Sequence, residues 1–374
     1  MQHEPRQAPK PGQAPLAARP APVAPASEVS GPARPLVASA ARADALGGQL
    51  ARAVARRGEG SVASEAPQAA GVQVLQRQFD VASQTRDWSD LTTIKRSSGG
   101  LTSGVLFADD SQGNRLVVKF ITDGAGPTFA DALIELLGIS TPASRVLDKA
   151  ETKIAKKALK SRRADLANKQ QHKELDKLSK LPYVQVQEFA NATPFDKLTT
   201  QDRLLLVADR HSMRTVGKLA MADAFMANSD RVTRTQCNLG NLMLAPDGTV
   251  LAIDNDARFD PGSTEPALED IDYLLDPAGA KGLSSTFLAG MLRHMSPTDA
   301  MKVDFDAIER WIGEGIMEGA VEVSDQVTPT VMAEAENLEF LNWPAEKKKN
   351  RRMRAEEMHK RLVRIRERGL ALIG

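Results

Sequence analysis

The sequence of 374 residues is poor in cysteine and aromatic residues, and it contains no long hydrophobic run. Its single cysteine, Cys237, excludes an intramolecular disulfide and a cysteine-rich zinc site. No stretch of about 18 apolar residues is present, so no membrane-spanning helix is expected. Aromatic residues form 4% of the chain and do not interleave with its basic stretches. Specific nucleic-acid binding, which uses aromatic stacking platforms, is therefore not expected.

An excess of charge of one sign is also missing, since 49 Lys and Arg residues offset 48 Asp and Glu residues. The balance hides two basic segments, residues 148–180 with a net charge of +6 and residues 347–368 with +8. Helix-like spacing of their apolar residues predicts a charged helical insertion in the first segment. In the second it predicts a basic helical tail over residues 347–374. Both segments suit an acidic protein surface or anionic lipid as a partner.

Proline is concentrated near the N-terminus, where residues 1–35 hold nine of the 21 prolines. Because proline fixes φ and has no backbone N–H, it prevents long helices and strand ladders in this region. The small and polar residues that follow extend this character, and we predict a disordered leader over residues 1–71. No basic and then apolar signal peptide opens the sequence.

Hydrophobic periodicity predicts a mixed α+β domain over residues 72–346, with strands dominant up to about residue 190 and helices dominant after it. The predicted strands are Leu101–Asp109, Arg115–Ile121, Pro182–Ala190, Leu242–Leu244 and Thr249–Ile253. The predicted helices are Thr128–Leu137, Gln201–Ala208 and Val216–Ala227, with several more after Leu283.

A glycine- and serine-rich segment, residues 97–105, leads into the first predicted strands. Small residues allow backbone amides to approach phosphate oxygens closely, and a lysine on the next strand can reach the same oxygens. This pattern marks a candidate nucleotide-phosphate site. Its residues are Gly99, Gly100, Ser103, Gly104 and Lys119.

Acidic and amide residues follow in the order in which kinases use them. Asp230 ends a predicted helix, two asparagines follow it, and Asp254 ends the predicted hairpin. Phosphoryl transfer needs a carboxylate that orients the attacking hydroxyl, and oxygen ligands that hold Mg²⁺. The spacing leaves open whether Asn238 or Asn241 is the amide ligand.

Three stretches resemble the catalytic core of the actin-fragmin kinase family, an atypical protein kinase group related to the phosphatidylinositol 3/4-kinases. They are Gly217–Arg231 (GKLAMADAFMANSDR), Gly240–Leu244 (GNLML) and Ala252–Asn255 (AIDN). Upstream, Gly99–Gly104, Val117–Lys119 and Leu137–Pro142 fit the same family. The resemblance implies a bilobal, protein-kinase-like fold, with a β-rich N-lobe over about residues 72–190 and a mainly helical C-lobe over about residues 191–346.

The resemblance also implies a role for each candidate residue. Lys119 would contact the α- and β-phosphates of ATP, and Asp230 would be the catalytic base. Asn241 and Asp254 would hold Mg²⁺, with Asp256 as a helper. The hinge that binds adenine would run from Glu188 to Ala190. The acidic partner of Lys119 would come from the helix Thr128–Leu137, where Asp131 and Glu135 are both available.

Two departures from typical protein kinases favour the atypical group. Asp230 and Asn241 are eleven positions apart, whereas the corresponding residues are about five positions apart in typical protein kinases. Asn255 and Asp256 follow the metal carboxylate in place of Phe-Gly. The sequence thus predicts an ATP- and Mg²⁺-dependent Ser/Thr kinase whose substrate is a protein, such as actin or another host protein.

Two alternatives stay open. One is a phosphoinositide kinase, and the other is a kinase fold with altered or no catalysis whose basic segments bind an acidic partner. The Ala-, Pro- and Arg-rich composition is typical of a high-GC bacterial protein. We therefore expect a cytoplasmic protein, or an effector that a signal-less secretion or injection system exports into a host cell.

Overall fold

The computed structural model describes residues 87–97, 104–234, 236–342 and 352–371. The predicted leader lies outside these residues. The strands are β1 (Leu91–Arg96), β2 (Val105–Asp110), β3 (Arg115–Ile121), β4 (Ser144–Val146), β5 (Tyr183–Glu188), β6 (Thr193–Pro194), β7 (Leu242–Leu244) and β8 (Val250–Ala252). The helices are α1 (Ala125–Leu136), α2 (Lys149–Ser161), α3 (Lys169–Leu178), α4 (Thr200–Ala208), α5 (Arg210–Met226), α6 (Pro261–Leu275), α7 (Pro277–Leu292), α8 (Pro297–Ala300), α9 (Phe305–Gln326), α10 (Pro329–Asn342) and α11 (Ala355–Ala371).

A five-stranded antiparallel sheet in the order β1-β2-β3-β5-β4 forms the N-lobe. Its strands alternate between buried and less buried residues, as expected when the two faces of a sheet have different neighbours. On one face, Leu106, Val118 and Val186 pack in a core with residues of α2 and α3. The other face carries Lys119, which lies opposite Gln185 in the β3–β5 register.

The predicted charged insertion forms α2 and α3, between β4 and β5. Leu159 and Leu175 on its inner side are buried in the sheet core. Lysines on α2 are exposed at Lys149, Lys153, Lys157 and Lys160. The insertion is therefore a covering layer of the N-lobe, and its basic residues lie on the solvent side.

The C-lobe is built around α5 and α9, which run side by side in the same direction. Ion pairs join the two helices at steps of four residues, at Arg210–Glu314, Arg214–Glu318 and Lys218–Glu322. The helices approach closely because glycines lie between them. A Cβ atom on Gly315 would lie 2.0 Å from the carbonyl oxygen of Arg214. Only glycine therefore fits this crossing without a shift of backbone.

Helix α1 follows an N-lobe strand in the sequence but packs with the C-lobe. Its residues Phe129, Leu133 and Ile134 are buried in the core cluster that the C-lobe helices form. The ring of Phe129 meets that of Phe259 edge to face, with centroids 5.5 Å apart. Helix α10 also contacts α1. The apolar face of α1 thus fixes this helix to the C-lobe.

The C-terminal basic segment differs from the expected appendage. Helix α11 packs against α6 and α9, and its residues Leu362 and Ile365 are buried in the C-lobe core. Arg361 is fully buried, and it donates hydrogen bonds to the carbonyl of Phe225 (2.7 Å) and to Ser263 Oγ (2.8 Å). Residues 352–371 are therefore part of the C-lobe, because apolar side chains of α11 are buried in its core and Arg361 is hydrogen-bonded inside it.

The predicted α+β class, with a β-rich N-lobe and a mainly helical C-lobe, is confirmed. Strand Arg115–Ile121 has the predicted bounds, whereas α1 and α5 begin before the predicted residues, at Ala125 and Arg210. Strand β1 was not predicted. Among the described helices, none combines the length and the apolar character that crossing a membrane requires.

Two glycines of α9 test the α5–α9 crossing. We expect Gly315→Ala to lower the free energy of unfolding by about 1–3 kcal/mol, because the added methyl group overpacks the crossing. Gly313→Ala, in the same helix, adds a methyl group that meets nothing within 4 Å. It should leave stability unchanged or raise it by up to about 1 kcal/mol. Urea denaturation of both variants measures this, and equal effects would contradict the packing described here.

Candidate active site

Lys119 and Asp254 come from different lobes and meet in an ion pair. Strand β3 places Lys119 on the sheet face turned away from α2 and α3, and the β7–β8 hairpin leads the chain to Asp254. Lys119 Nζ lies 3.2 Å from Asp254 Oδ1. The lysine side chain is 13% exposed and that of the aspartate 46% exposed. The carboxylate is therefore accessible to a ligand that enters between the lobes.

Asp254 has a left-handed backbone conformation, with φ at 58°. Residues other than glycine pay a steric cost there, and such strain is concentrated at functional sites. The turn leaves Asp254 part-exposed beside Lys119, whereas the next residue, Asn255, is buried. The left-handed turn thus directs the carboxylate of Asp254 toward the site and the amide of Asn255 into the protein interior.

Asn241 connects Asp230 to the end of the β7–β8 hairpin. Its Nδ2 donates to the backbone oxygen of Asp230 at 3.0 Å, and its own carbonyl accepts from Ile253 N at 3.1 Å. The Asp230 side chain is exposed in the loop after α5. The sequence-predicted Asp230, Asn241 and Asp254 are therefore close neighbours through these hydrogen bonds.

The long spacing between Asp230 and Asn241 is explained by a small hairpin. Val232 pairs with Cys237 in an antiparallel bridge, and Asn238 N donates to the carbonyl of Arg231 at 2.6 Å. The chain thus leaves Asp230 and returns beside it. Asn238 Oδ1 accepts from Gly240 N at 3.2 Å and so serves the turn. Asn241, not Asn238, is the amide that contacts Asp230.

Arg231 anchors this loop from inside the C-lobe. The side chain is fully buried and forms a two-point ion pair with Asp223 of α5, with Nε 2.9 Å from Oδ2. Nη1 donates to the carbonyl of Ile253 at 3.2 Å and also to Asn255 Oδ1. A single guanidinium thus holds both the Asp230 loop and the Asp254 loop on α5.

The buried network continues into the N-lobe through Asn255. Asn255 Nδ2 donates to Asp131 Oδ1 (2.6 Å) and to Thr141 Oγ1 (3.0 Å). The other oxygen of Asp131 accepts from Ser144 on β4. Burial raises the pKa of the Asp131 carboxyl, and the hydrogen bonds and the charges of Lys119 and Arg231 oppose that rise. The network therefore joins α5, the Asp254 loop, α1 and β4.

The two carboxylates predicted as partners of Lys119 have different environments. Asp131 is buried and close enough to Lys119 for their charges to interact. Glu135, one helical turn later, is exposed at the surface of α1. Of the two, Asp131 is the carboxylate that belongs to the interior of the site.

Asp256, the second predicted metal carboxylate, is held by a different partner. Its Oδ2 lies 2.8 Å from Arg352 Nη2, from the segment before α11. The donor set that remains for Mg²⁺ is the carboxylate of Asp254 and the amide oxygen of Asn241. The described residues contain no group of three or more His, Cys, Asp or Glu that would hold a metal by itself. Such a set fits Mg²⁺, which usually takes one or two carboxylates and completes its ligands with phosphates and waters.

The remaining predicted site residues belong to the segment before β2 and to the chain from the end of β5 onward. Gly99, Gly100 and Ser103 lie outside the described residues. Gly104 precedes β2 with φ at 155°, and the next residue, Val105, lies opposite Lys119. Glu188 ends β5, and its N–H donates to the carbonyl of Ala143 at 2.8 Å. Ala190 follows it in the connection between the two lobes.

Three residues that hold the loops of the site in place were not predicted as site residues from the sequence: Asp223, Asn255 and Arg352. Asp223 carried one usable signal, since a lone carboxylate in the apolar run LAMADAFM is unlikely to be buried without a cation. Asn255 and Arg352 carried no such signal, because the carboxylates they contact, Asp131 and Asp256 respectively, lie more than 90 residues away in the sequence.

The N-lobe and the first part of the C-lobe match a known protein family. Residues 74–250 match the family model described as actin-fragmin kinase, catalytic. This part of the chain is similar to the catalytic domain of the actin-fragmin kinase family. The match confirms the resemblance seen in the sequence motifs and identifies the protein as a kinase-like phosphotransferase. No curated protein sequence matches the chain.

Solved structures with low similarity include two phosphotransferases. A MAP kinase from Leishmania major is 11% identical and covers 80% of this chain and 99% of its own, with a TM-score of 0.21. An aminoglycoside phosphotransferase from Alicyclobacillus acidocaldarius is 14% identical and covers 84% of this chain and 99% of its own, with a TM-score of 0.19. At these TM-scores neither structure informs the arrangement of the kinase-like site.

Arg231 is the residue whose loss should disturb the site most. We expect Arg231→Met to lower the free energy of unfolding by about 3–5 kcal/mol, because the buried carboxylate of Asp223 loses its partner. Arg234→Met removes an exposed arginine that pairs with Glu269 and Asp270 at the surface. This control should cost less than about 1 kcal/mol.

The pH dependence of Arg231→Met gives a second check. Burial raises the pKa of Asp223, and Arg231 opposes that rise. Without Arg231 the folded-state pKa climbs further above the unfolded value, so the folded state binds the proton more tightly. The stability deficit should therefore be largest near pH 7 and shrink as the pH falls toward 4. A deficit that is independent of pH would contradict the buried pair.

Proposed function

We propose that this protein is an ATP- and Mg²⁺-dependent kinase that phosphorylates Ser or Thr in protein substrates. The observation that carries the proposal is the contact of Lys119 with Asp254 across the two lobes, 3.2 Å apart and 135 residues apart in sequence. Asn241 adds the amide that ties Asp230 to the same centre. These residue types are the ones that phosphoryl transfer uses for phosphate, metal and substrate hydroxyl.

In this proposal Lys119 binds the phosphates of ATP as a fixed positive charge. Its present partner, Asp254, is 46% exposed, so an entering nucleotide with Mg²⁺ can draw both side chains toward itself. Mg²⁺, when bound, would neutralise the phosphate charge that develops during transfer. Asp254 and the amide oxygen of Asn241 would hold it. The buried network behind them keeps these groups in place before the nucleotide arrives, which is the condition for electrostatic catalysis.

In this proposal Asp230 orients the substrate hydroxyl and accepts its proton. Its carboxylate is exposed, whereas its backbone is fixed by Asn241 and by Asn228, whose Oδ1 accepts from Asp230 N at 3.2 Å. A rigid backbone with an accessible side chain suits a large substrate such as a protein, since the attacking hydroxyl must reach the carboxylate from outside.

The N-lobe sheet offers an apolar surface for adenine. Phe107 and Val117 lie opposite each other in the β2–β3 register, two residues from Val105 and Lys119 respectively. They therefore share the face that carries Lys119. Phe189 packs edge to face on Phe107, with centroids 5.6 Å apart. Because the N–H of Glu188 donates to Ala143, the backbone of Phe189 and Ala190 is the part of the hinge proposed to bind adenine.

Two charge-removing substitutions test the proposed function. We expect Lys119→Met and Asp254→Asn each to lower phosphoryl transfer at least about 100-fold, since each removes a charge that acts on the phosphates or the metal. Lys95→Met on β1 and Asp247→Asn in the β7–β8 turn are matched controls, because both residues are exposed and lie outside the site. These controls should retain activity.

The assay measures transfer of label from γ-labelled ATP to a protein lysate, with phosphoinositide vesicles as a parallel acceptor. Label in Ser and Thr of proteins supports the proposal. Label in the lipid alone would favour the phosphoinositide kinase alternative. A parallel assay with α-labelled ATP detects transfer of AMP, because AMP keeps the α-phosphate. Activity that survives both site substitutions, or label that reaches protein from α-labelled ATP, would overturn the assignment.

A further inference from the structure

The segment before α11 returns to the active site and pairs with the chain beyond Asp254. Phe259 N donates to the carbonyl of Arg352, and Arg354 N donates to the carbonyl of Phe259 at 3.1 Å. Met353, between the two arginines, is fully buried. This short parallel bridge fixes residues 352–354 to a point five residues after the proposed metal carboxylate.

Arg352 uses this position to bridge two acidic residues from different lobes. Its Nη1 lies 3.2 Å from Asp123 Oδ2 in the β3–α1 connection, and its Nη2 lies 2.8 Å from Asp256 Oδ2. Asp123 is 1% exposed, and it also accepts from Ala125 N (3.1 Å) at the start of α1. One guanidinium thus joins the first turn of α1 to the Asp254 loop.

The two joined elements are in close contact. A Cβ atom on Gly126 would lie 2.5 Å from Asp256 Oδ1 and 2.6 Å from the carbonyl oxygen of Ala257. Both elements place a carboxylate at this contact, so without a cation between them the charges of Asp123 and Asp256 would repel each other.

We propose that Arg352 is a positioning residue of the kinase site, and that the C-terminal segment is a built-in brace between α1 and the Asp254 loop. Through Asp123 it fixes the helix that carries Asp131, and through Asp256 it fixes the loop that carries Asp254. Arg352 acts on the site through the two elements it joins. The inference rests on the proposed function, since it assigns the brace to that same site.

The test compares variants of the full chain in phosphoryl transfer. Because a small misplacement of catalytic groups is costly, Arg352→Met should lower kcat by about 10- to 100-fold. It should also raise the Mg²⁺ concentration needed for half-maximal activity, since the loop of Asp254 is released. Arg352→Lys, which keeps the positive charge, should lose less kcat and need less additional Mg²⁺ than Arg352→Met.

A double substitution separates positioning from a general loss of packing. If repulsion between Asp123 and Asp256 causes the loss, Asp256→Asn should restore part of the kcat of Arg352→Met. Identical kcat and Mg²⁺ dependence in Arg352→Met and the native protein would overturn the proposal. A loss that Asp256→Asn does not relieve would also overturn it.

Hydrogen exchange gives a readout that does not depend on activity. In Arg352→Met, exchange should rise in the first turn of α1 and in residues 254–259, while β3 keeps its protection. Unchanged exchange in those two regions would refute the brace even if the protein is an active kinase. Conversely, raised exchange in a protein without phosphoryl transfer would support the brace and refute the proposed function.

Discussion

The arrangement of the site depends on one buried ion pair, Arg231 with Asp223. Two charges without access to water are tolerated only when each is paired and hydrogen-bonded, and here the guanidinium also holds Ile253 and Asn255. Because Arg231 directly follows Asp230, the pair sets where the candidate base lies. Because it holds the residues on both sides of Asp254, it also sets where the candidate metal carboxylate lies. The position of the Arg231 side chain thus determines the positions of both the Asp230 loop and the Asp254 loop.

The same network explains how two lobes present one site. Asn255 carries it to Asp131 on α1, and Arg352 adds a second link to the start of that helix. The apolar residues of α1 pack in the C-lobe core. Helix α1 is therefore fixed by packing, by hydrogen bonds and by charge. The N-lobe sheet, whose own core is formed with α2 and α3, contributes Lys119 to a centre that the C-lobe has already arranged.

Local patterns predicted much of this, because they act over a few residues. Hydrophobic periodicity predicted the strand Arg115–Ile121 that carries Lys119, and it predicted the two strands of the hairpin that leads to Asp254. The choice between Asn238 and Asn241, and between Asp131 and Glu135, depended on contacts formed only after folding. The positive charge of residues 347–374 predicted a basic tail outside the kinase-like domain, whereas α11 packs in the C-lobe. A count of arginines does not distinguish a solvated side chain from Arg361, which is buried over the ring of Phe259.

The central claim is that Lys119 and Asp254 form a single Mg²⁺-nucleotide site. Calorimetric titration of ATP into the full chain, with and without Mg²⁺, tests it most directly. We predict that Mg²⁺ strengthens ATP binding to the native protein, and that Asp254→Asn removes this gain but keeps the Mg²⁺-free affinity. Failure of the native protein to bind ATP, or an equal gain from Mg²⁺ in the Asp254→Asn protein, would contradict the claim.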